Sequence, residues 1–140
     1  DGDRQDPIYF RTKGTQKGRD GARVPLPWSG EKAPFGFTTG KPWLPLQDSW
    51  REFTVESELS DPNSSLNLYR NALKIRKEQF VGSGEITWTN TEELLSYKRG
   101  NIEVKINISN SAKPIKGHVL LSSKPVTDSL PPATAVWLLA

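Results

Sequence analysis

The chain has 140 residues, 34% of them hydrophobic and 25% charged, with 19 basic against 16 acidic residues and a net charge of +3. That length suffices for a real core, and the small charge excess favours solubility over nucleic-acid binding. No apolar run reaches the length of a membrane span, and the lack of cysteine removes disulfides and thiolate metal sites.

No methionine occurs, even at position 1, and nothing resembling a signal segment precedes the first residues. The sequence therefore reads as a piece of a longer protein. Residues 1 to about 54 form a coil-rich stretch holding most of the prolines and glycines. A structureless stretch this long is usually functional, disordered, or laid on a scaffold. Tyr9, Phe10, Trp28, Phe35, Phe37 and Trp43 argue against disorder, because disordered segments are poor in aromatics. Within the stretch, "GRDGARVPLPWSG" packs two arginines, two prolines and a tryptophan among three glycines with no apolar period.

"SDPNSSLNLYRNALKIRKEQF" changes character. Asp61 suits an N-cap and Pro62 a first helical residue, which predicts a helix over 62–78. Leu66, Tyr69 and Leu73, flanked by Leu68, Ala72 and Ile75, give it a broad apolar face. Arg76 projects from that side and needs either a carboxylate or an escape to water. After Phe80 the period becomes alternating. "IEVKINIS" sets Ile102, Val104, Ile106 and Ile108 inward and Glu103, Lys105, Asn107 and Ser109 outward. "LLSYKR" pairs with it across "GN" as a hairpin. "EITWT", "HVLLSS" and "TAVWLLA" read as further strands. Residues 80–140 are thus expected to form an antiparallel all-β sandwich domain.

Chemistry-bearing residues are sparse. His118 is the only histidine and precedes an apolar strand, where a structural role is the ordinary reading. The carboxylates do not cluster at a metal-ligand spacing, so no metal and no cofactor are expected. Glycosidic chemistry needs two rigidly held carboxyl groups, about 5 Å apart in a retaining enzyme. Asp1, Asp3, Asp6, Asp20 and Glu31 all lie on coil, and no catalytic set emerges from this chain. The loop aromatics either offer flat faces to sugar rings or anchor the loop. Arg19, Asp20 and Arg23 are either exposed charge or a fixed polar contact built on a stiffened loop.

At these residues a resemblance emerges. "GRDGARVPLPW" followed by "APFGFTTGKPWLPL" resembles the α-glucosidases of glycoside hydrolase family 13, including oligo-1,6-glucosidase-like enzymes. Gly18, Arg19, Asp20, Arg23, Pro25 and Trp28 match the first motif, and Gly36, Phe37, Thr38, Gly40, Pro42, Trp43 and Leu44 the second. Val24, Leu26 and Pro27 depart from the commoner string, and the V-P-L-P-W form is similar to an actinobacterial-type branch. "DPNSSLNLYRNALKIRKE" resembles the family's last barrel helix.

The resemblance implies a C-terminal fragment of a (β/α)8-barrel α-amylase-type enzyme. Residues 1–79 would be the loop-rich end of the barrel domain with its last helix, and 80–140 the C-terminal β domain. The parent would be a cytoplasmic retaining α-glucosidase acting on maltose-, isomaltose- or sucrose-like substrates, with no nucleic-acid or membrane partner. Arg19 would bind the terminal sugar and pair with an upstream aspartate. Asp20, Arg23 and Trp28 would be structural residues near the site. The catalytic carboxylates would lie upstream, leaving this chain alone inactive. Two other readings stay open: a non-catalytic relative of the transporter heavy-chain type, and a free-standing carbohydrate-binding β module.

Overall fold

In the computed structural model, residues 1–80 and 84–139 are described. The chain divides into two compact units, Asp1–Asn67 and Leu68–Ala140.

In the first unit short helical pieces alternate with extended chain. Helix α1 spans Pro7–Arg11, and a single 3-10 turn follows at Asp20–Ala22. A second 3-10 segment, Asp48–Phe53, leads into α2, Val55–Ser60, capped by Thr54, whose Oγ1 accepts from the Ser57 amide. The coil-rich reading holds in outline, but this unit has a small core of its own. Phe35 is fully buried, and Leu44 and Leu46 nearly so. Phe35 sits at φ 48°, a region bulky residues rarely occupy. Its carbonyl accepts from both the Trp28 and Ser29 amides at 2.8 and 2.9 Å, which ties the two halves of the loop together. The other loop aromatics, Trp28, Phe37 and Trp43, remain about half exposed or more.

Helix α3 spans Ser65–Gln79. It starts later than the sequence suggests, because the cap is Ser64 and not Asp61. Ser64 Oγ accepts from the Asn67 amide at 3.1 Å and donates to the Glu58 carbonyl at 2.6 Å. Asp61 instead forms a turn, accepting from the Asn63 amide at 2.9 Å. Asn67 Nδ2 then bonds the carbonyls of Glu58, Leu59 and Asp61, satisfying the end of α2. On α3, Tyr69 and Leu73 are exposed, while Leu68, Ala72 and Ile75 are half-buried. Arg76 takes the escape to water.

The second unit holds seven strands. These are β1 (Ile86–Trp88), β2 (Leu94–Arg99), β3 (Ile102–Asn107), β4 (Lys113–Pro114), β5 (His118–Ser122), β6 (Ser129–Leu130) and β7 (Thr134–Leu139). Five form an antiparallel sheet in the order β1-β2-β3-β7-β5, and β4 and β6 pair separately. The expected strands all occur; Ala140 lies outside the described residues. The β2–β3 hairpin turns through Gly100-Asn101, with Arg99 opposite Ile102. Gly100 at φ 60° supplies the left-handed first turn position that matches sheet twist.

Both faces of the sheet are covered. On one, Ile102 and Val104 cluster with Phe80, Tyr97, Leu120, Trp137 and Leu139. Phe80 and Trp137 meet edge to face at 5.3 Å. On the other, Val136 and Leu138 pack with Ile115 and Leu130 of the small two-stranded arm. On the same face as Val136 and Leu138, Glu103 and Lys105, expected outward, are largely covered and pair at 3.2 Å.

The inward row also ends earlier than expected. Ile108 lies past the strand and is 61% exposed, whereas Asn107 is fully buried. Its Nδ2 donates to the Ser111 and Leu130 carbonyls at 2.8 Å each, and its Oδ1 accepts from the Ser109 amide and hydroxyl. One side chain thereby ties the end of β3 to the arm. Asn107→Ala should lower stability by roughly 2–4 kcal/mol, because it strands several buried polar groups. Urea denaturation of the purified protein measures this; a change within ~0.5 kcal/mol would contradict the pinning role.

Candidate functional site

The charged residues flagged in the first loop converge on Asp6. Asp6-Pro7 starts α1 as Asp-Pro starts many helices: Asp6 Oδ1 caps the helix by accepting from the Ile8 amide at 3.0 Å, and Pro7 occupies a position needing no amide donor. The helix ends at once, where Thr12 Oγ1 donates to the Ile8 carbonyl at 2.7 Å. Lys13 at φ 50° and Gly14 at φ 84° turn the chain back. Gly18, at φ 71°, then passes so close to Asp6 that a Cβ there would lie 2.6 Å from Asp6 Cγ. Only glycine meets both demands.

This close approach delivers the Arg19 amide to Asp6 Oδ2 at 2.8 Å. The reverse contact is made by Asp20, whose Oδ2 accepts from the Gln5 and Asp6 amides at 2.8 and 3.0 Å. Each aspartate therefore binds the backbone beside the other, and both are buried. The guanidinium of Arg23 approaches Asp6 Oδ2 at 3.7 Å. The Ile8 and Arg19 amides, aided by the Arg23 and Arg19 charges and opposed by burial, hold the Asp6 carboxyl below the usual aspartate range.

Asp6, Arg19 and Arg23 line an open cavity of about 750 Å3 together with Arg11 and Gln16. Arg19 is exposed, and its guanidinium has no hydrogen-bond or ion-pair partner among the described residues. The cavity thus presents an unpaired cation on a backbone fixed by a carboxylate. Asp20 shows the opposite deficit: its Oδ1 is buried with no hydrogen-bond partner among the described residues.

Of the residues singled out from sequence, Arg19, Asp20 and Arg23 come together. Trp28 does not line the cavity; its amide bonds Phe35 and its carbonyl accepts from the Glu56 amide at 3.0 Å. Sequence reasoning treated Asp6 as one carboxylate among several on coil. The signal was there: Asp before Pro is a helix-start pattern, realised at Asp6-Pro7 and not at Asp61-Pro62. His118 is exposed at the start of β5, opposite Leu139, away from any carboxylate cluster. Among the described residues no group of acidic or histidine side chains could hold a metal, and no helix is long and apolar enough to cross a membrane.

With two loops pinned by carboxylates ahead of an antiparallel β domain, comparison with known proteins is informative. The family model "Alpha amylase, catalytic domain" matches residues 2–84, and the chain belongs to the alpha-amylase family. Among its relatives, an oligo-1,6-glucosidase of Halalkalibacterium halodurans is 38% identical over 86 residues, covering 59% of this chain and 15% of the relative. A trehalose-6-phosphate hydrolase of Escherichia coli (strain K12) is 30% identical over 148 residues, covering 88% and 26%. The crystal structure of the isomaltulose synthase of Klebsiella sp. LX3 superposes with a TM-score of 0.69 at 21% identity, over 94% of this chain and 29% of that one. The last shows a shared fold. The chain spans between 15% and 29% of the length of these relatives.

The state of Asp6 has a pH consequence. Its carboxyl is held below the usual range, so the folded state favours its ionised form. The stabilisation is present above the unfolded aspartate value of about 3.9 and is lost as pH falls through the lower folded value. Amide exchange at Arg19 should stay slow at mildly acidic pH and accelerate only below that range. Acceleration already near pH 6 would show that another group holds the loop.

Proposed function

We propose that the protein carrying this chain is a retaining α-glucosidase of small α-linked glucosides, and that this chain supplies a wall of its glucose pocket. The observation that carries the reading is the free guanidinium of Arg19, set on a pinned loop at the rim of an open cavity. An unpaired arginine fork is suited to paired hydrogen bonds with vicinal sugar hydroxyls. Relatives named oligo-1,6-glucosidase, trehalose-6-phosphate hydrolase and probable alpha-glucosidase support the substrate class.

The catalytic pair is assigned to residues outside this chain. Retaining chemistry requires one carboxylate free to attack the anomeric carbon and one carboxyl free to protonate the leaving oxygen. Asp6 has both oxygens taken up by amides. One oxygen of Asp20 is likewise occupied, and the other is buried. Neither can approach a sugar. In this reading residues 1–79 complete a (β/α)8 barrel domain at its active-site face, where such barrels carry their sites. Residues 80–140 form the C-terminal β domain. Asp20 and Arg23 serve as structural neighbours of Arg19, and Trp28 anchors the loop. The reading includes an actinobacterial-type branch, on the similarity of the V-P-L-P-W form, and a cytoplasmic enzyme with no nucleic-acid or membrane partner.

The test is kinetic. In the full-length protein, Arg19→Ala should lower kcat/KM for maltose, isomaltose or trehalose 6-phosphate, whichever is turned over, by about 10- to 100-fold, with little change in melting temperature. Arg19→Lys should recover only part of the loss, since an ammonium lacks the planar fork. Arg23→Ala, which removes the 3.7 Å contact to Asp6, should lower melting temperature more than it changes sugar affinity. Normal kinetics for Arg19→Ala would remove Arg19 from the pocket.

A further inference from the structure

We infer that Asp6 is the positioning residue for Arg19: its Oδ2, bound to the Arg19 amide and facing the Arg23 guanidinium, sets the direction in which Arg19 enters the cavity. The inference rests on the reading of Arg19 as a substrate contact.

Two functions of Asp6 are carried by separate oxygens. Oδ1 caps α1 through the Ile8 amide, and Oδ2 takes the Arg19 amide. The Arg19 side chain has no partner of its own among the described residues, so its backbone fixes the point and direction from which it departs, the Cα–Cβ vector. That backbone is constrained on three sides. Gly18 precedes it at φ 71° with the Asp6 carboxyl against its Cα. The Asp6 Oδ2 bond fixes its amide. The Arg19 carbonyl accepts from the Ala22 amide at 2.9 Å, opening the 3-10 turn. Of these, only the Oδ2 bond is made by a side chain from outside the turn. Asp20 acts on the same joint from the other side by holding the Gln5 and Asp6 amides, which keeps the Asp6 carboxyl in place. The arrangement is a chain of positioning: Asp20 sets Asp6, and Asp6 sets Arg19.

Asparagine separates the two oxygens. In Asp6→Asn the amide oxygen can still cap the Ile8 amide, since asparagine caps helices as well as aspartate. The Nδ2 group then faces the Arg19 amide and the Arg23 guanidinium, donor against donor, and the positioning bond is lost. The proposal therefore expects Asp6→Asn to stay folded with a lowered melting temperature, since the charge held by the Arg19 amide and Arg23 is gone, and to lower kcat/KM by roughly 3- to 10-fold. The decisive measurement is a double-mutant cycle with Arg19→Ala in the full-length enzyme. If Asp6 acts through Arg19, adding Asp6→Asn to Arg19→Ala should change kcat/KM less than about twofold. Gly18→Ala, which drives a methyl group into the Asp6 carboxyl, should reproduce the Asp6→Asn kinetics and show the same dependence on Arg19. An equal loss in both backgrounds would overturn the proposal, as would normal kinetics for Asp6→Asn beside an impaired Arg19→Ala. Normal kinetics for Arg19→Ala alone would instead remove the pocket reading on which the proposal stands. If Asp6→Asn and Gly18→Ala both yield unfolded protein, Asp6→Glu, which keeps the charge and shifts it by one methylene, is read in the same cycle. Loss of folded protein in all three assigns Asp6 to stability alone and overturns the positioning role.

Discussion

The first unit depends on the reciprocal grip of two buried aspartates on each other's backbone. Burying a carboxylate is costly unless hydrogen bonds replace its water. Here the replacement comes from amides brought close by the loop's own turns. Asp6 takes the Ile8 and Arg19 amides, and Asp20 takes those of Gln5 and Asp6. The two segments so joined lie 13 to 15 residues apart in sequence. Without this grip, the glycines around Arg19 would leave its direction unspecified, and a free guanidinium would sample a wide arc.

The grip also accounts for the residue types in the motif "GRDGAR". Gly18 is required by φ and by the approach of the Asp6 carboxyl. Arg19 contributes its amide inward and its charge outward. Asp20 opens a 3-10 turn, and the Arg23 amide returns to the Asp20 carbonyl at 2.9 Å. That turn brings the second guanidinium to the first aspartate. The resemblance pointed to an aspartate partner for Arg19 upstream of this chain. The structure places one aspartate inside it, on the Arg19 backbone, and leaves the Arg19 guanidinium free.

Much of the second unit was legible, because alternation and hairpin chemistry are local. Ile102 and Val104 face inward as their spacing requires, and the Gly100-Asn101 turn sits where the two strands predict it. The misses share a physical cause: a polar side chain whose partners, four to 23 residues away, lie outside the apolar pattern. Asn107 looked outward by parity, yet it is buried by bonds to Ser111 and Leu130, which no short window reveals. Ser64 displaced Asp61 as the cap of α3 because it also bonds Glu58 across the preceding turn. Asp6 was passed over as a coil carboxylate because its value lies in the Arg19 amide. In each case the local pattern named a plausible residue, and a long-range hydrogen bond chose its neighbour.

The first unit's unfinished features lie near one another in sequence and differ in kind. Among the described residues the Arg19 guanidinium has no acceptor, while Asp20 Oδ1 has no donor and is already out of water. An exposed, unpaired arginine costs little, because water solvates it. A buried, unpaired carboxylate oxygen is costly. Solvation therefore separates the two: the Arg19 guanidinium stays accessible to new partners, whereas Asp20 Oδ1 is closed to any that come from outside. On this argument the exposed guanidinium is the side of the loop open to a new partner, and Asp20 Oδ1, already out of water within this chain, is a cost that the rest of the loop's hydrogen bonds must offset.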